Sequence, residues 1–353
     1  MFPLKNKIFL FKIFNYSRFF VYTLEGFPII MVQKFFGLRR KPNPPPPKDH
    51  QEKLIKTIIN MIEEDINNIQ KNIYSETLVL PENPIIHWKR YIEIFKDSFH
   101  SSIRKKNNEY KTFSEDLKVD EKDLPKYYKR NFHFQTDGYL SDKSAQLYSH
   151  QTEILFRGSL ALTRRVLLAP VLSYIKKQNR RLKILELACG SGESTEILLS
   201  SCENIELTAI DLSSSYIKYA EKKTKNYSNI KYLNLDALNL DHFEENFDII
   251  LSSYLIHEMP EKERNLVFKS AYRKLNHLGL MVTIDSIQLG DVPDFDWALL
   301  NFPKDFHEPF YMNYIKRPIL NFMENNQFTN IETNIRFLSK CVTGLKQDPN
   351  LET

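Results

Sequence analysis

The sequence predicts an α/β fold: a mostly parallel sheet with helices on both faces, an antiparallel strand pair at one edge and a helical extension in front. Three observations carry this. Between residues 182 and 284 five short β-rich runs alternate with helix-length segments, the pattern of parallel strands joined by crossover helices. After residue 330 two further strand-like runs follow with almost no residues between them, room for a hairpin only. Before residue 180 apolar residues recur at three- and four-residue steps, the helical period.

Composition agrees with a soluble globular chain. Of 353 residues, 42% are hydrophobic and 26% charged, which excludes a disordered chain and a multi-span membrane protein. Three scattered cysteines give neither a disulfide framework nor a zinc-spaced cluster, so a reducing compartment is expected and no metal ligand is assigned. Net charge is +5, but residues 1–41 hold eight basic side chains against Glu25 alone and carry +7, leaving −2 for the body. The basic balance belongs to the N-terminal segment, so nucleic acid is not expected as a partner.

In chain order, residues 1–37 are rich in Phe and Ile, but Lys12, Arg18, Glu25, Pro28 and Lys34 interrupt them before about 18 uncharged apolar residues can accumulate to span a bilayer. Readings left open are an amphipathic stretch in a membrane interface, an organelle-targeting segment, a partner-docking arm, or a cover for the fold. The expected location is cytoplasmic or organellar (plastid or mitochondrion), at most peripheral to a membrane, and not secreted. Pro42–Pro47 forms a stiff extended linker. Leu54, Ile58, Ile62, Ile66, Ile69 and Ile73 mark an amphipathic helix over 50–73. The stretch to residue 129 is less periodic, and its charge run from Lys105 to Lys129 reads as a solvated face. Helical patterning returns over Ala145–Phe156 and Ser159–Lys177. The five strands are then Leu182–Leu187, Ile205–Ile210, Ile230–Leu235, Phe247–Leu251 and Leu280–Ile284, and the edge pair is Asn330–Arg336 with Leu338–Leu345.

The sharpest chemical signal is Leu182–Thr195, a strand running into a turn with Gly190 and Gly192 and a helix from about Glu193. Such a turn lets backbone approach a ligand at the carboxyl end of the first strand. A dinucleotide site would place a third glycine where Thr195 stands, and Glu186 just before the turn would repel a pyrophosphate while attracting a cation. Those two features favour S-adenosylmethionine. Asp211 ends the second strand, where a carboxylate can accept from ribose hydroxyls, and Asp236 ends the third, where it can accept from an adenine amino group. Any one of these acids alone could be a helix cap.

With Glu186–Gly192, Asp211, Asp236–Ala237 and the Phe247–Leu251 strand on the page, the chain resembles the class I S-adenosylmethionine-dependent methyltransferases over residues 180–345. The resemblance implies a Rossmann-like seven-stranded sheet whose last strand pair is antiparallel. It also implies S-adenosyl-L-methionine held by Glu186, Ala188, Gly190 and Gly192 at the methionine part, by Asp211 with Leu212 at the ribose and by Asp236 with Ala237 at the adenine, with Ser252 alongside. Ala188 departs from the family's frequent glycine. Four units follow: a basic aromatic segment with its linker (1–48), a helical extension (49–129), a helical cofactor cover (130–180) and the methyltransferase domain (181–350).

A narrower likeness rests on Asn131–Ser141, Ser144–Tyr148, His257–Pro260 and Phe306–Tyr311. These are similar to uncharacterised methyltransferases of cyanobacterial and plastid type, distantly similar to quinone-ring methyltransferases. His257 and Glu258 follow the fourth strand, where the fold brings acceptor and methyl donor together; they read as a base or an orienting pair, against a packed histidine beside a helix-capping acid. A zinc-protease motif would need a second His at Glu261. Gln135–Tyr139 reads as a lid presenting Tyr139 or Asp137, or as an ordinary turn, while His307 and Tyr311 either cover the acceptor or pack as aromatics. The expected activity is methylation of a small or lipid-like acceptor. Alternatives are RNA or protein methylation and a non-catalytic adenosyl-binding assembly factor.

Overall fold

The structure, a computed structural model, describes residues 4–115, 117 and 124–347, with side chains from residue 7. The elements run in the order α1 (Leu4–Phe35), α2 (His50–Gln70), α3 (Pro84–Asn107), α4 (Asp142–Leu155), α5 (Leu160–Lys176), β1 (Leu182–Leu187), α6 (Glu193–Ser201), β2 (Ile205–Asp211), α7 (Ser214–Lys223), β3 (Ile230–Asn234), β4 (Phe247–Ser253), α8 (Glu261–Lys274), β5 (Leu275–Ser286), α9 (Asp296–Asp305), α10 (Tyr311–Tyr314), α11 (Ile319–Asn325), β6 (Phe328–Arg336) and β7 (Ser339–Lys346). The seven strands stand in the order β3-β2-β1-β4-β5-β7-β6, parallel except for β7, which is antiparallel to both β5 and β6. The Rossmann-like architecture with helices in front is therefore present as the sequence predicts. Strand order reverses between β1 and β4, and that reversal opens a crevice at the carboxyl ends of the strands.

The central strands are buried on both faces. Ile184, Leu185 and Leu187 of β1 and Ile249, Ile250 and Leu251 of β4 are almost wholly enclosed, as parallel strands covered by helices must be. Helix α5 is sandwiched so completely that Val166, Leu167, Leu168 and Leu172 have no exposed surface. Its outer partner is α2, whose apolar stripe Ile58, Met61, Ile62, Ile66 and Ile69 is buried. Asp65 on the same face would be costly alone, but Arg165 grips both of its oxygens at 2.9 Å and Tyr74 donates to it at 2.6 Å.

Two stretches go beyond the sequence reading. Helix α1 continues through Pro28, although the ring removes an amide donor, because its inner face is pinned: Phe11, Asn15, Tyr22, Glu25 and Val32 are all buried. Residues 84–107 form a long helix opened by Asn83, which caps the Ile85 amide at 2.9 Å with Pro84 in the first turn, and closed by left-handed Asn108. Its basic end is not merely solvated, since Arg104 bonds Phe134 O and Thr136 Oγ1, both at 2.8 Å, and Lys105 bonds Asp305 O at 2.7 Å. Part of the predicted charge run, at 116 and 118–123, lies outside the described residues.

Candidate active site

Three strand ends build the floor of a cavity whose empty space, with its opening to solvent, is about 920 Å³. At the end of β1 the Glu186 side chain is 1% exposed and has one partner, Thr195 Oγ1 at 2.6 Å. Burial pushes its carboxyl up to about 8, so the site offers much to a cation that would sit beside it. Ala188 adopts φ +51 and Gly190 φ +55, and a Cβ at Gly190 would meet nothing within 4 Å, leaving the turn's backbone open to the cavity. At the end of β2, Asp211 accepts from Gly190 N (2.9 Å) and Ser213 N (2.8 Å), and burial raises its carboxyl to about 6. Asp236, after β3, accepts from Leu238 N at 2.9 Å, and burial raises it too. Each of these caps the following turn, yet both carboxylates also line the cavity, with lone pairs to spare.

Glu186, Ala188, Gly190, Asp211, Leu212, Asp236 and Ala237 all border this space; Gly192 and Ser252 do not. Gly192 instead lets α6 start against α7, since a Cβ there would fall 3.1 Å from Ala220 Cβ. Ser252 is enclosed between strands, its hydroxyl 3.4 Å from Thr283 Oγ1, and the next residue, Ser253, reaches the cavity. Cys189 packs within the turn, and burial pushes its thiol well up, which suits packing and not nucleophilic attack.

The cover is aromatic. Tyr139 stacks on Phe132 with ring centres 5.0 Å apart and meets Tyr148 and Tyr216 edge-on at 5.8 Å. Gly138 makes this turn possible, because a Cβ would overlap Arg130 O at 2.2 Å. Asp137 faces away and accepts from Ser114 N at 2.8 Å. Arg164, from α5, lines the same cavity beside Glu186, its guanidinium 5.1 Å from the Tyr254 ring centre. Carboxylate and guanidinium thus stand ready for opposite ends of a zwitterion.

A second cavity of about 760 Å³ adjoins the first and shares Tyr148, Tyr254 and Glu258 with it. Its wall is mostly apolar, from Leu155, Phe156, Leu299, Phe302 and Leu338, and it holds His257, His133 and Tyr311. His257 donates from Nδ1 to Asp285 Oδ1 at 2.6 Å, leaving Nε2 3.7 Å from Glu258 Oε1. Burial opposes protonation of the imidazole, but the Asp285 carboxylate outweighs it and raises the histidine above its ordinary value. Tyr139 donates to Glu258 Oε1 at 2.6 Å, so the three expected catalytic side chains meet at the junction of the cavities. Buried Arg264 fastens this turn to the segment after β5, bonding Ile256 O (2.9 Å), Phe310 O (2.8 Å) and Asn313 Oδ1 (2.7 Å). Tyr311 lines the cavity, whereas His307 stacks on Tyr110 outside it. Asp285 and Arg164 escaped the sequence reading. An acid ending a strand beside β4 was the available signal for Asp285, and a helical arginine gives none.

Residues 184–279 match the family model described as a methyltransferase domain. Among curated proteins, the chain is 26% identical over 157 residues to demethylmenaquinone methyltransferase of Thermotoga maritima, covering 41% of this chain and 65% of that one. It is 29% identical over 147 residues to the ubiquinone/menaquinone biosynthesis C-methyltransferase UbiE of Campylobacter jejuni, covering 40% and 59%. The chain thus spans less than two thirds of the length of these relatives. Among solved structures, the CurJ carbon methyltransferase aligns over 94% of this chain and 92% of its own at a TM-score of 0.49 and 11% identity. The matched domain segment, the strand order and the strand-end acids together assign the chain to the class I S-adenosylmethionine-dependent methyltransferase superfamily.

Proposed function

We propose that the chain binds S-adenosylmethionine in the first cavity and methylates an apolar, small or lipid-like acceptor in the second. The observation that carries this is the junction: a floor of buried acids with open lone pairs leads directly into an apolar chamber holding a histidine–aspartate pair. The residues fit the cofactor, because the Glu186 carboxylate is bonded only by the neutral Thr195 hydroxyl and Arg164 lies near it without pairing, free for a carboxylate, while Asp211 and Asp236 offer acceptors further along the floor. Bound there, the cofactor supplies an electrophilic methyl group on a positively charged sulfur. The aromatic cover excludes water and orients the reactants, which supplies most of the acceleration in such a displacement. His257 Nε2 then takes the proton from the acceptor's hydroxyl or acidic carbon, Asp285 fixing the tautomer and stabilising the imidazolium. A quinone-like ring fits the apolar wall and is the finer reading we favour.

Titration calorimetry with S-adenosylhomocysteine tests the cofactor part. Asp211→Ala weakens binding by ~1.5–3 kcal/mol, the range for hydrogen bonds to a charged group. Unchanged affinity in the folded variant, or preference for NAD, defeats the reading. Cofactor binding with no turnover on any phenol or hydroquinone favours a non-catalytic adenosyl-binding role.

We propose further that the outer face of α1 rests on an anionic bilayer. No helix among the described residues is long and apolar enough to cross a membrane, yet Phe9, Ile13, Tyr16, Phe20, Leu24, Phe27, Met31 and Phe35 form an exposed stripe along its length. Exposed Lys34, Arg39, Arg40 and Lys41 follow at its end, pairing apolar insertion with attraction to anionic headgroups. Because the inner face of α1 belongs to the core, the test is substitution and not truncation. Phe20→Ser with Phe27→Ser should abolish sedimentation with phosphatidylserine vesicles, and undiminished sedimentation rejects the role.

A further inference from the structure

His133, Glu258 and Glu308 come from three separate segments and meet at one point, their ligating atoms all within 4.8 Å of one another. His133 gets there through strained backbone: it has φ +54 and is followed by Phe134 at φ +58, a region that residues with a side chain rarely adopt. The strain is held by Arg104, which bonds Phe134 O at 2.8 Å, and it sets His133 Nε2 3.1 Å from Glu308 Oε1. That approach has no hydrogen-bond geometry. The Glu308 side chain is fully enclosed, and among the described residues neither of its oxygens has a hydrogen-bond partner; nor does buried Glu258 Oε2. Arg130 lies near enough to temper both acids, but its Nε donates to Tyr127 O at 2.7 Å and its guanidinium sits 5.3 Å from the Phe310 ring centre.

We propose that His133, Glu258 and Glu308 bind one divalent transition-metal ion. An imidazole nitrogen and two carboxylates converging with three unpartnered oxygens have the ligand set of zinc, manganese or ferrous iron. A cation satisfies all the unpartnered oxygens at once, where a shared proton satisfies one pair. Tyr139, donating to the other oxygen of Glu258, orients that ligand as supporting residues around metals do. Sequence spacing hides the site, because each ligand lies on a different segment and no short motif joins them. His133 and Glu258 both border the second cavity, so an open coordination position faces it. Resting on the function proposed above, that position takes an oxygen of the acceptor, phenolate or enolate, and holds it against the methyl donor.

The test uses the full chain without a tag, stripped by chelator and dialysed, and titrated calorimetrically with zinc chloride and with manganese chloride. One ion binds per chain, and Glu308→Gln and His133→Ala each weaken binding at least ~10-fold, while His87→Gln, in the molecule's other histidine–carboxylate cluster, leaves it unchanged. Because the buried variants can misfold, crystals of the unaltered protein grown with manganese provide a second reading. An anomalous peak between the three side chains is expected. No bound ion, or a peak elsewhere, overturns the site and leaves the two carboxyls sharing a proton. The ion is measured without cofactor or acceptor, so failure of the methyl-transfer reading leaves this result standing.

Discussion

Among the described residues, two clusters of histidine and glutamate bring three ligating side chains together, built from the same residue types and finished in opposite ways. In the first, Glu25 of α1 receives His87 of α3 at 2.7 Å on one oxygen and His150 of α4 at 2.8 Å on the other. His87 also reaches Glu82 at 2.9 Å, and Arg90 reaches the second Glu82 oxygen at 2.6 Å. Every oxygen of those two acids has a donor, and the cluster fastens three helices together. In the second, around His133, Glu258 and Glu308, three carboxylate oxygens have none. Composition does not separate a structural cluster from a chemical one; saturation does, since an acid whose lone pairs are spent has nothing left for a ligand.

The largest expected effect lies on the unsaturated side. His257→Ala lowers the rate of methyl transfer to a surrogate phenol, per folded molecule, by ~10²–10⁴-fold, with cofactor affinity near wild type. Asp285→Asn, which spoils the tautomer, gives a comparable loss and a shifted pH–rate profile. Equal rates in both would place His257 among packed residues.

On the saturated side the same kind of change costs stability and not turnover. Glu25→Leu removes the acceptor of His150 Nε2 and His87 Nε2, leaving His87 only Glu82, and lowers unfolding free energy by ~3–5 kcal/mol, as breaking a buried ion pair does. Urea denaturation measures it, and activity per folded molecule stays unchanged. A variant that keeps its stability but loses activity would erase the distinction between the clusters.

Acidity sharpens the contrast further. Glu25, and more weakly Glu82, raise His87 to about 9 against the opposition of burial. Its contribution is therefore complete below its ordinary value of 6.5 and is lost as pH rises through about 9. Melting temperature should fall across that window by the equivalent of ~1–3 kcal/mol, and His87→Gln should flatten the slope. The smallest effect is expected from Glu308→Gln. In chelator at pH 8 it should raise the melting temperature slightly, by removing an acid that burial and its neighbours disfavour; a large drop would mean that Glu308 is structural.

Much of this was legible in the sequence, for reasons that particular residues make plain. The β-rich runs gave Leu182–Leu187 to the residue, because a strand buried on both faces is written as a short apolar run bounded by polar turns. The acids at 186, 211 and 236 were visible because strand ends are punctuated by turn residues. Asp285 was not, because it reaches His257 only through the β4–β5 pairing, in which Ser253 stands opposite Ile284. Helix α3 falls within the helical extension read over 49–129, but its bounds are not legible, because Ile85, Trp88 and Ile92 stay exposed and its apolar pattern does not mark a single buried face. Helix α1 reads as interrupted at Glu25, yet that charge is buried, and its partners lie on helices α3 and α4.

Arg264 carries a consequence for traffic through the molecule. Its guanidinium joins the turn bearing His257 and Glu258 to the stretch from Phe310 to Asn313, so separating the two would strand a buried charge at a cost of ~3–5 kcal/mol. This side of the second cavity is a fixed jamb and not a door. The give in this wall lies instead with rings such as Phe156 and Phe302, whose rotation forfeits only dispersion contacts.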